Sequence, residues 1–166
     1  RDARIMTIYE GTTGIQALDL AGRKTLGDKG VALQGLLDDI KAKAQEMSAV
    51  ESLSGMAASL AAAAQAGEEA KNWLLEHASE DRNIAGGISV NYMMLLGYIF
   101  GAWVMGQSAL KADQLLGAGV GDETFLDAKL KTARFYFDHL LPRTDACLAA
   151  IKAGSDSIMA LDVEQF

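Results

Sequence analysis

Residues 84–107, "IAGGISVNYMMLLGYIFGAWVMGQ", form an unbroken stretch without a charged residue. An uncharged stretch of this length suits either a membrane span or a helix buried on all sides at the centre of a bundle. Ser89, Asn91 and Gln107 are polar, five glycines lower the hydrophobicity, and the flanking charges are of mixed sign. These features favour the buried bundle helix, so we do not expect a membrane as a partner.

The composition of the whole chain also indicates helices. The chain has 166 residues, half of them hydrophobic, and a single proline. This length is sufficient for one domain with a core. Good helix formers dominate, and no long run of β-branched residues competes with them. The sequence therefore predicts an all-α fold.

Apolar residues recur every three or four positions, which predicts the helices and their ends. The pattern predicts the end of a helix over 1–9, a turn over 9–13, and helices over about 14–26, 33–47, 51–79, 82–116 and 123–154. Pro142 is expected to kink the last helix, because proline lacks the backbone donor. Four long helices with short connections predict an antiparallel (up-down) four-helix bundle preceded by a short helix-turn-helix segment. The break "GDKG" at 27–30 divides the chain into residues 1–27 and a helical extension over 28–166.

Charge and cysteine content exclude some classes of function. The formal net charge is −7 and no basic stripe with interleaved aromatics is present, so nucleic acid is not an expected partner. The single cysteine, Cys147, rules out an intramolecular disulfide. No apolar signal segment follows the charged first residues. A reducing, cytoplasmic location is expected.

Four features resemble functional motifs but have simpler interpretations. "GAGVG" at 117–121 lies between predicted helices, whereas a dinucleotide loop follows a strand, so a helix-ending loop is predicted. His77 and His139 lack the Glu-x-x-His spacing of a di-metal bundle, which makes them surface or interface residues and leaves no metal site. Cys147 has no histidine at neighbouring helical positions and is predicted to be a packed thiol. The small-residue step "GYIFG" at 97–101 is expected to let two helix backbones approach.

The opening segment "RIMTIYEGTTGIQALDL" at 4–20 carries a lone carboxylate, Glu10, before the first predicted helix. Apolar neighbours would raise its pKa toward the range of a general base, and Gly11 leaves room for a substrate beside the backbone. Thr12 and Thr13 stand where the helix begins, so they can cap it or offer donors to a polar cofactor. On the residues alone, a helix cap beside a solvated glutamate is the preferred interpretation.

A resemblance changes that preference. The stretch "RDARIMTIYEGTTGIQALDLAGRK" at 1–24 resembles the C-terminal signature of the flavin-dependent acyl-CoA dehydrogenases. In that family an Arg-Asp-Ala-Arg/Lys-Ile run leads into Ile-Tyr-Glu-Gly-Thr and an Ile-Gln helix. The remainder, by its length, helix order and position, resembles the helical extension of a bacterial branch that includes enzymes acting on methylthiopropanoyl-CoA.

The resemblance implies a role for each residue of the signature. Glu10 would be the catalytic base that removes the pro-R α-proton of an acyl-CoA thioester while the β-hydride passes to FAD, giving a trans-2-enoyl-CoA. Tyr9 and Gly11 would border the substrate. The residues implied to contact FAD are Thr12, Thr13 and Gly14. The family further implies electron-transferring flavoprotein as acceptor and a homo-oligomer.

The sequence departs from the commoner signature at two positions. Gln is usual where this chain has Gly14, and Arg is usual where it has Ala17. A flavin contact at Gly14 can then come only from backbone, and a subunit contact of the arginine is lost, for which the extension can substitute. We expect the chain to be the C-terminal part of a larger enzyme, with no catalysis and weak or no FAD binding in isolation.

Two alternatives stay open at this point. The first is a non-enzymatic helical interaction or oligomerisation module in which the signature is a structural remnant. The second is a membrane-anchored helical protein, whose residues 84–107 would partition into detergent. Under the enzymatic interpretation we expect the extension to pack against the catalytic body or a second subunit, because the uncharged helix and an apolar stripe on 14–24 need cover.

Overall fold

The computed structural model describes residues 12–165, and these form helices and connecting turns without a strand. This confirms the all-α class for the described part of the chain. The elements are α1 (Thr13–Leu18), a π-helical segment (Asp19–Leu26), α2 (Val31–Ser48), a 3-10 turn (Glu51–Leu53), α3 (Ser54–His77), α4 (Ile84–Gly117), α5 (Glu123–His139), α6 (Arg143–Lys152) and a 3-10 turn (Val163–Gln165).

Helix α4, with 34 residues, is the element on which the others assemble. At 1.5 Å per residue it is about 50 Å long. It packs against α3, α5 and α6, and also against α1 and the π-helical segment. By length and composition it is also the one helix in the described residues that could cross a membrane. The face turned toward the other helices is formed by Ile88, Tyr92, Leu95, Leu96 and Ile99.

The prediction that this helix is buried on all sides is wrong. Val90, Met94 and Val104 on α4 are 45%, 39% and 55% exposed. The remaining helices cover α4 around its inner face but leave an apolar strip uncovered along its outer face. The uncharged sequence therefore does not mark a helix enclosed within the described chain.

Helices α2 and α3 run in opposite directions along each other. The Lys41 ammonium lies 2.6 Å from the Glu68 carboxylate, and Lys71 further along α3 donates to Gln34 earlier in α2. The Lys41 hydrogen bond lowers the pKa of Glu68. The up-down arrangement of the whole bundle stays a prediction.

The predicted last helix is divided in two rather than kinked. Helix α5 ends at His139 and α6 begins at Arg143, with Pro142 in the N-cap position of α6. Proline is well suited to a helix start, where its missing donor leaves no bond unmade. The Thr144 hydroxyl donates to the Leu141 carbonyl at 2.8 Å and closes the turn. Pro142 was correctly identified as the point of change, but the continuous helix was not.

The first predicted helix is present, with a change of winding that the sequence did not predict. α1 passes at Asp19 into the π-helical segment, which ends at Leu26. The turn at 27–30 follows, with Lys29 and Gly30 at φ of 57° and 74°. The Asp28 carboxylate accepts hydrogen bonds from the backbone of Gly30 and Ala32, both at 2.9 Å, and caps α2.

Candidate functional site

Three of the predicted site residues, Tyr9, Glu10 and Gly11, lie outside the described residues. The described part of the site begins at Thr12, the N-cap residue of α1, whose carbonyl accepts from the Gln16 amide at 2.8 Å. The Thr12 side chain is exposed and makes no capping hydrogen bond to the described backbone. Within the described residues, the Thr12 hydroxyl therefore does not cap α1.

The next two predicted site residues, Thr13 and Gly14, are the first residues of α1. Thr13 is half-buried and Gly14 is exposed. No described atom lies within 4 Å of the position that a Gly14 Cβ would occupy. Among the described residues, the backbone at Gly14 is therefore open to close approach, which a polar ligand at this helix start would require.

The opposite face of the same helical segment is fixed to α4. Ala17 and Ala21 are fully buried, and Thr25 is 3% exposed. These three small residues recur every four positions, so they form one stripe along α1 and the π-helical segment. Small side chains let the segment lie close against α4, which holds the start of α1 in a defined position.

A buried hydrogen bond joins the end of this segment to α4. The Tyr92 hydroxyl donates to the Thr25 hydroxyl at 3.2 Å. Burial raises the pKa of Tyr92 to about 12, and the hydrogen bond that Tyr92 makes to Thr25 opposes this shift only in part. Tyr92 therefore stays protonated over the physiological range and serves as a donor.

The outward face of the segment is apolar, as predicted for residues 14–24. Ile15 and Leu18 are 68% and 49% exposed. Beside them, Arg23 holds Asp19 through two bonds of 2.5 and 2.9 Å, which lowers the pKa of this carboxyl. The segment thus has one face buried against α4 and one apolar face open within the described residues.

The two departures from the commoner signature have different surroundings. A longer side chain at Gly14 would enter open space, because nothing described lies nearby. Ala17, by contrast, is fully buried against the rest of the chain. An arginine at this position would have to displace the contact with α4. The packing of α1 on α4 therefore leaves no room for a long side chain at position 17.

The glycine loop at 117–121 and Cys147 agree with their simpler interpretations. The glycines at 117–121 end α4, with Gly119 and Gly121 at positive φ. Cys147 packs against the core, and burial raises its pKa, which disfavours the thiolate of a nucleophile. Within residues 12–165 no group of three or more His, Cys, Asp or Glu side chains is placed to hold a metal ion.

The expectation for the small-residue step at 97–101 is wrong. A Cβ at Gly101 would lie 2.0 Å from the Tyr136 hydroxyl, so the space is taken by a side chain from α5 rather than by a second backbone. Gly97 is exposed and has no described neighbour within 4 Å of its Cβ position. The Tyr136 hydroxyl donates to the Tyr98 carbonyl at 3.2 Å.

The sequence did not predict a polar cavity of about 350 Å³ that lies beside the turn between α3 and α4. The buried Ser155 hydroxyl donates to the Asp81 carboxylate, which lowers the pKa of Asp81. His77 stacks on Trp73 with ring centroids 4.1 Å apart. Its Nδ1 lies 2.8 Å from the Trp73 carbonyl and must carry the proton, because a carbonyl only accepts. Ser155 and Asp81 are distant in sequence, so no local sequence pattern could have predicted that they pair.

Comparison with known proteins identifies the class to which this fold belongs. Residues 36–162 match the family model described as "Acetyl-CoA dehydrogenase C-terminal like". This match covers most of the chain and begins within α2. The chain belongs to the acyl-CoA dehydrogenase family and corresponds to its C-terminal domain.

Two curated relatives agree with this assignment. The chain is 39% identical over 163 residues to the 3-methylmercaptopropionyl-CoA dehydrogenase of Ruegeria pomeroyi, with 96% of this chain and 27% of the relative covered. It is 31% identical over 182 aligned positions to the broad-specificity linear acyl-CoA dehydrogenase FadE5 of Mycobacterium tuberculosis, with 100% and 28% covered. The chain therefore spans about a quarter of the length of these relatives.

Proposed function

We propose that this chain is the C-terminal part of an FAD-dependent acyl-CoA dehydrogenase that forms a trans-2-enoyl-CoA from an acyl-CoA thioester. The observation that carries the proposal is the similarity to two acyl-CoA dehydrogenases over nearly all of this chain. The catalytic signature around Glu10 and the anchoring of the following helix on α4 support it.

In this proposal Glu10 is the catalytic base. Its carboxylate takes the proton from the carbon next to the thioester carbonyl and becomes a carboxylic acid. The Glu10 backbone amide donates to the thioester oxygen, which stabilises the charge that develops there. Tyr9 and Gly11 border the thioester. FAD, when bound, supplies the acceptor for the hydride that leaves the β-carbon.

The described residues at the start of α1 are compatible with a flavin contact. The Thr12 side chain is exposed, and Gly14 leaves its backbone open to approach. Hydroxyl and backbone groups suit the polar part of a flavin cofactor. We propose that Thr12, Thr13 and Gly14 hold FAD in the complete enzyme, and that this chain alone binds it weakly and is inactive.

The same proposal covers the organisation of the chain. Residues 1–27 would end the catalytic domain, and 28–166 would form the extension as an up-down bundle of α2, α3, α4 and the α5–α6 pair. The opposite directions of α2 and α3 support this arrangement. The open apolar face at Ile15 and Leu18 would pack on the catalytic body.

The partners and location follow from the family and stay proposals. We propose electron-transferring flavoprotein as the electron acceptor, a homo-oligomer as the assembly, and the cytoplasm as the location. The names of the two relatives indicate which substrates to test, namely methylthio and linear acyl-CoA thioesters.

The test uses the complete polypeptide that contains this chain, as wild type and as Glu10→Gln. Each is titrated anaerobically with short linear, long linear and methylthio acyl-CoAs while the flavin absorbance is followed. Bleaching is expected in wild type with the preferred class and not in Glu10→Gln, although acyl-CoA still perturbs the flavin spectrum. Purified protein without flavin would contradict the proposal.

A non-enzymatic interaction module is the second candidate, favoured by the apolar faces that the described helices leave open. It predicts a complete polypeptide without flavin that binds a partner through those faces. A membrane-anchored protein, suggested by the length of α4, predicts that the polypeptide needs detergent to stay in solution. The flavin content and solubility of the complete polypeptide distinguish these three functions.

A further inference from the structure

The segment that follows the proposed site residues rests on α4 along one face. Ala17, Ala21 and Thr25 are buried, and α1 and the π-helical segment both pack against α4. Alanine side chains are short and do not interlock with a neighbouring helix as large side chains do. The two alanines therefore set how closely the segment lies on α4, but they do not fix its rotation about its own axis.

A directional contact at the end of this stripe fixes that rotation. The Tyr92 hydroxyl donates to the Thr25 hydroxyl at 3.2 Å, and the two residues are 0% and 3% exposed. A hydrogen bond weakens steeply when its angle departs from the preferred range. Because both side chains are buried, water does not replace a lost partner, and rotation of the segment would leave a polar group unpaired.

The change of winding keeps Thr25 in line with the alanines. Residues four positions apart advance slightly beyond a full turn of an α-helix. In π winding the bonds close over five residues, so the turn is wider and the same spacing falls short of a full turn. The two deviations oppose each other, and the stripe stays on the face that meets α4. Such π-helical turns are rare and are frequent at functional sites.

We propose that Thr25 and Tyr92 are positioning residues of the dehydrogenase, which hold α1 at one rotation on α4 so that the residues at its start meet FAD and substrate in productive geometry. This inference rests on the proposed function. It deepens that function by giving the helical extension a part in the chemistry.

The hydrogen bond and the site belong to one short stretch of chain. Gly14 and Thr25 lie in a helical run that continues without a break over 13–26. A helical run that turns at one end carries its other end with it. Glu10 stands two positions before Thr12 in the sequence, so a displacement of α1 also moves the chain on which the proposed base stands. A displacement of 1 Å at a reacting group lowers a rate by up to about 100-fold.

Two tyrosines provide a matched comparison in the complete polypeptide. Tyr92→Phe removes the bond to Thr25. Tyr136→Phe is the control, because the Tyr136 hydroxyl also donates at 3.2 Å, to the carbonyl of Tyr98 on α4. Each variant loses one hydroxyl and one hydrogen bond at α4, but only the bond of Tyr92 reaches the π-helical segment.

The first readout is anaerobic flavin reduction after rapid mixing with the acyl-CoA that bleaches the wild-type flavin. In Tyr92→Phe the limiting rate should fall at least fivefold, while the half-saturating acyl-CoA concentration changes less than twofold. This division is expected because the rotation of α1 governs the geometry of the reacting groups. Tyr136→Phe should match wild type in both quantities.

Variants of Thr25 test whether the hydroxyl itself is responsible. Thr25→Val keeps the shape of the side chain and removes the acceptor, so it should slow reduction at least as much as Tyr92→Phe. Thr25→Ser keeps the hydroxyl and should reduce within twofold of the wild-type rate. The double variant of Tyr92→Phe with Thr25→Val should be no slower than the slower single variant, because both changes remove the same bond.

Amide hydrogen exchange gives a readout that does not depend on flavin chemistry. The Gln16 amide donates to the Thr12 carbonyl at the start of α1. Peptides that cover residues 13–20 should exchange at least fivefold faster in Tyr92→Phe and Thr25→Val, and at the wild-type rate in Thr25→Ser and Tyr136→Phe. Peptides from α2 should exchange as in wild type in all four variants, which shows that the fold is kept.

Three results would overturn the positioning role. The first is flavin reduction at the wild-type rate in Tyr92→Phe and Thr25→Val. The second is equal slowing in Tyr92→Phe and Tyr136→Phe, because loss of any hydrogen bond at α4 would then be sufficient. The third is fast exchange throughout α2 in Tyr92→Phe, because the slower reduction would then follow from general loss of the fold.

The results also separate this inference from the proposed function. If Glu10→Gln abolishes bleaching and Tyr92→Phe reduces at the wild-type rate, the dehydrogenase stands and only the positioning role is overturned. A complete polypeptide without flavin, or a Glu10→Gln variant that reduces as fast as wild type, would contradict the proposed function and this inference with it.

Discussion

The Tyr92 hydroxyl donates a hydrogen bond to the Thr25 hydroxyl at 3.2 Å, in the buried contact between α4 and the π-helical segment. This bond links α4 to the segment that follows the proposed site residues. Extension and signature are therefore expected to be stable or unstable together.

Tyr92 should make the stability of the chain fall in alkali. Its pKa is raised to about 12 from an ordinary value of 10.0, so its contribution is complete below pH 10 and is lost as the pH rises through 12. Two pKa units correspond to about 3 kcal/mol at most. Urea denaturation between pH 9 and 12 measures this loss, and Tyr92→Phe should show a clearly smaller one. Equal slopes for both proteins would contradict the assignment.

Restoring the commoner family residues should have opposite effects at the two departures. Ala17→Arg should lower the free energy of unfolding by about 3 kcal/mol or more, because a fully buried alanine is replaced by a long charged side chain. Gly14→Gln should be neutral or stabilise by up to about 1 kcal/mol, because the site is open and glutamine favours helix. Thermal denaturation of both variants measures these changes in stability. An Ala17→Arg variant as stable as wild type would contradict the close packing of Ala17 against α4.

Gly101 should be the sensitive glycine in α4. Alanine there would meet the Tyr136 hydroxyl, so Tyr136 must move and lose its bond to the Tyr98 carbonyl. We expect Gly101→Ala to destabilise by about 1 kcal/mol, the usual value of one hydrogen bond, in spite of better helix propensity. Gly35→Ala on the open side of α2 is the matched control and should stabilise. Calorimetry that finds both stabilising would show that Tyr136 adapts without cost.

Ser155 should contribute to resistance against acid. Its bond holds the pKa of Asp81 below the ordinary value, so this stabilisation is present above about pH 4 and is lost as the pH falls through the lowered pKa. Ser155→Ala should therefore be less stable than wild type at neutral pH and approach it in acid. Ser157→Ala, at an exposed neighbour, should follow wild type throughout.

The helices of this chain could be predicted from sequence because their signals are local. The turn at 27–30 and the glycine loop at 117–121 both fall where the structure has them. The separation of α5 from α6 was not predicted. The local sequence pattern shows that Pro142 disturbs a helix, but it does not show whether the chain continues the same helix or begins a new one. The open strip on α4 was missed for a related reason. An uncharged helix does not reveal which of its faces the other helices will cover.

The candidate site could be predicted only in part. The resemblance identified the signature, and the structure describes its end, where Thr12 and Gly14 are exposed. The burial of Ala17 could not be derived, because it depends on α4, which begins more than sixty residues later. The pairing of Ser155 with Asp81 joins equally distant parts of the chain. Such contacts arise from tertiary packing and leave no periodic pattern.

The most direct test of the central claim is the rate of anaerobic flavin reduction in the complete polypeptide after rapid mixing with its preferred acyl-CoA. Glu10→Gln is compared with Glu51→Gln, an exposed glutamate before α3. We predict wild-type rates for Glu51→Gln and a rate at least 100-fold lower for Glu10→Gln, as expected for loss of a general base. Reduction of Glu10→Gln at the wild-type rate would contradict the assignment of Glu10 as the catalytic base.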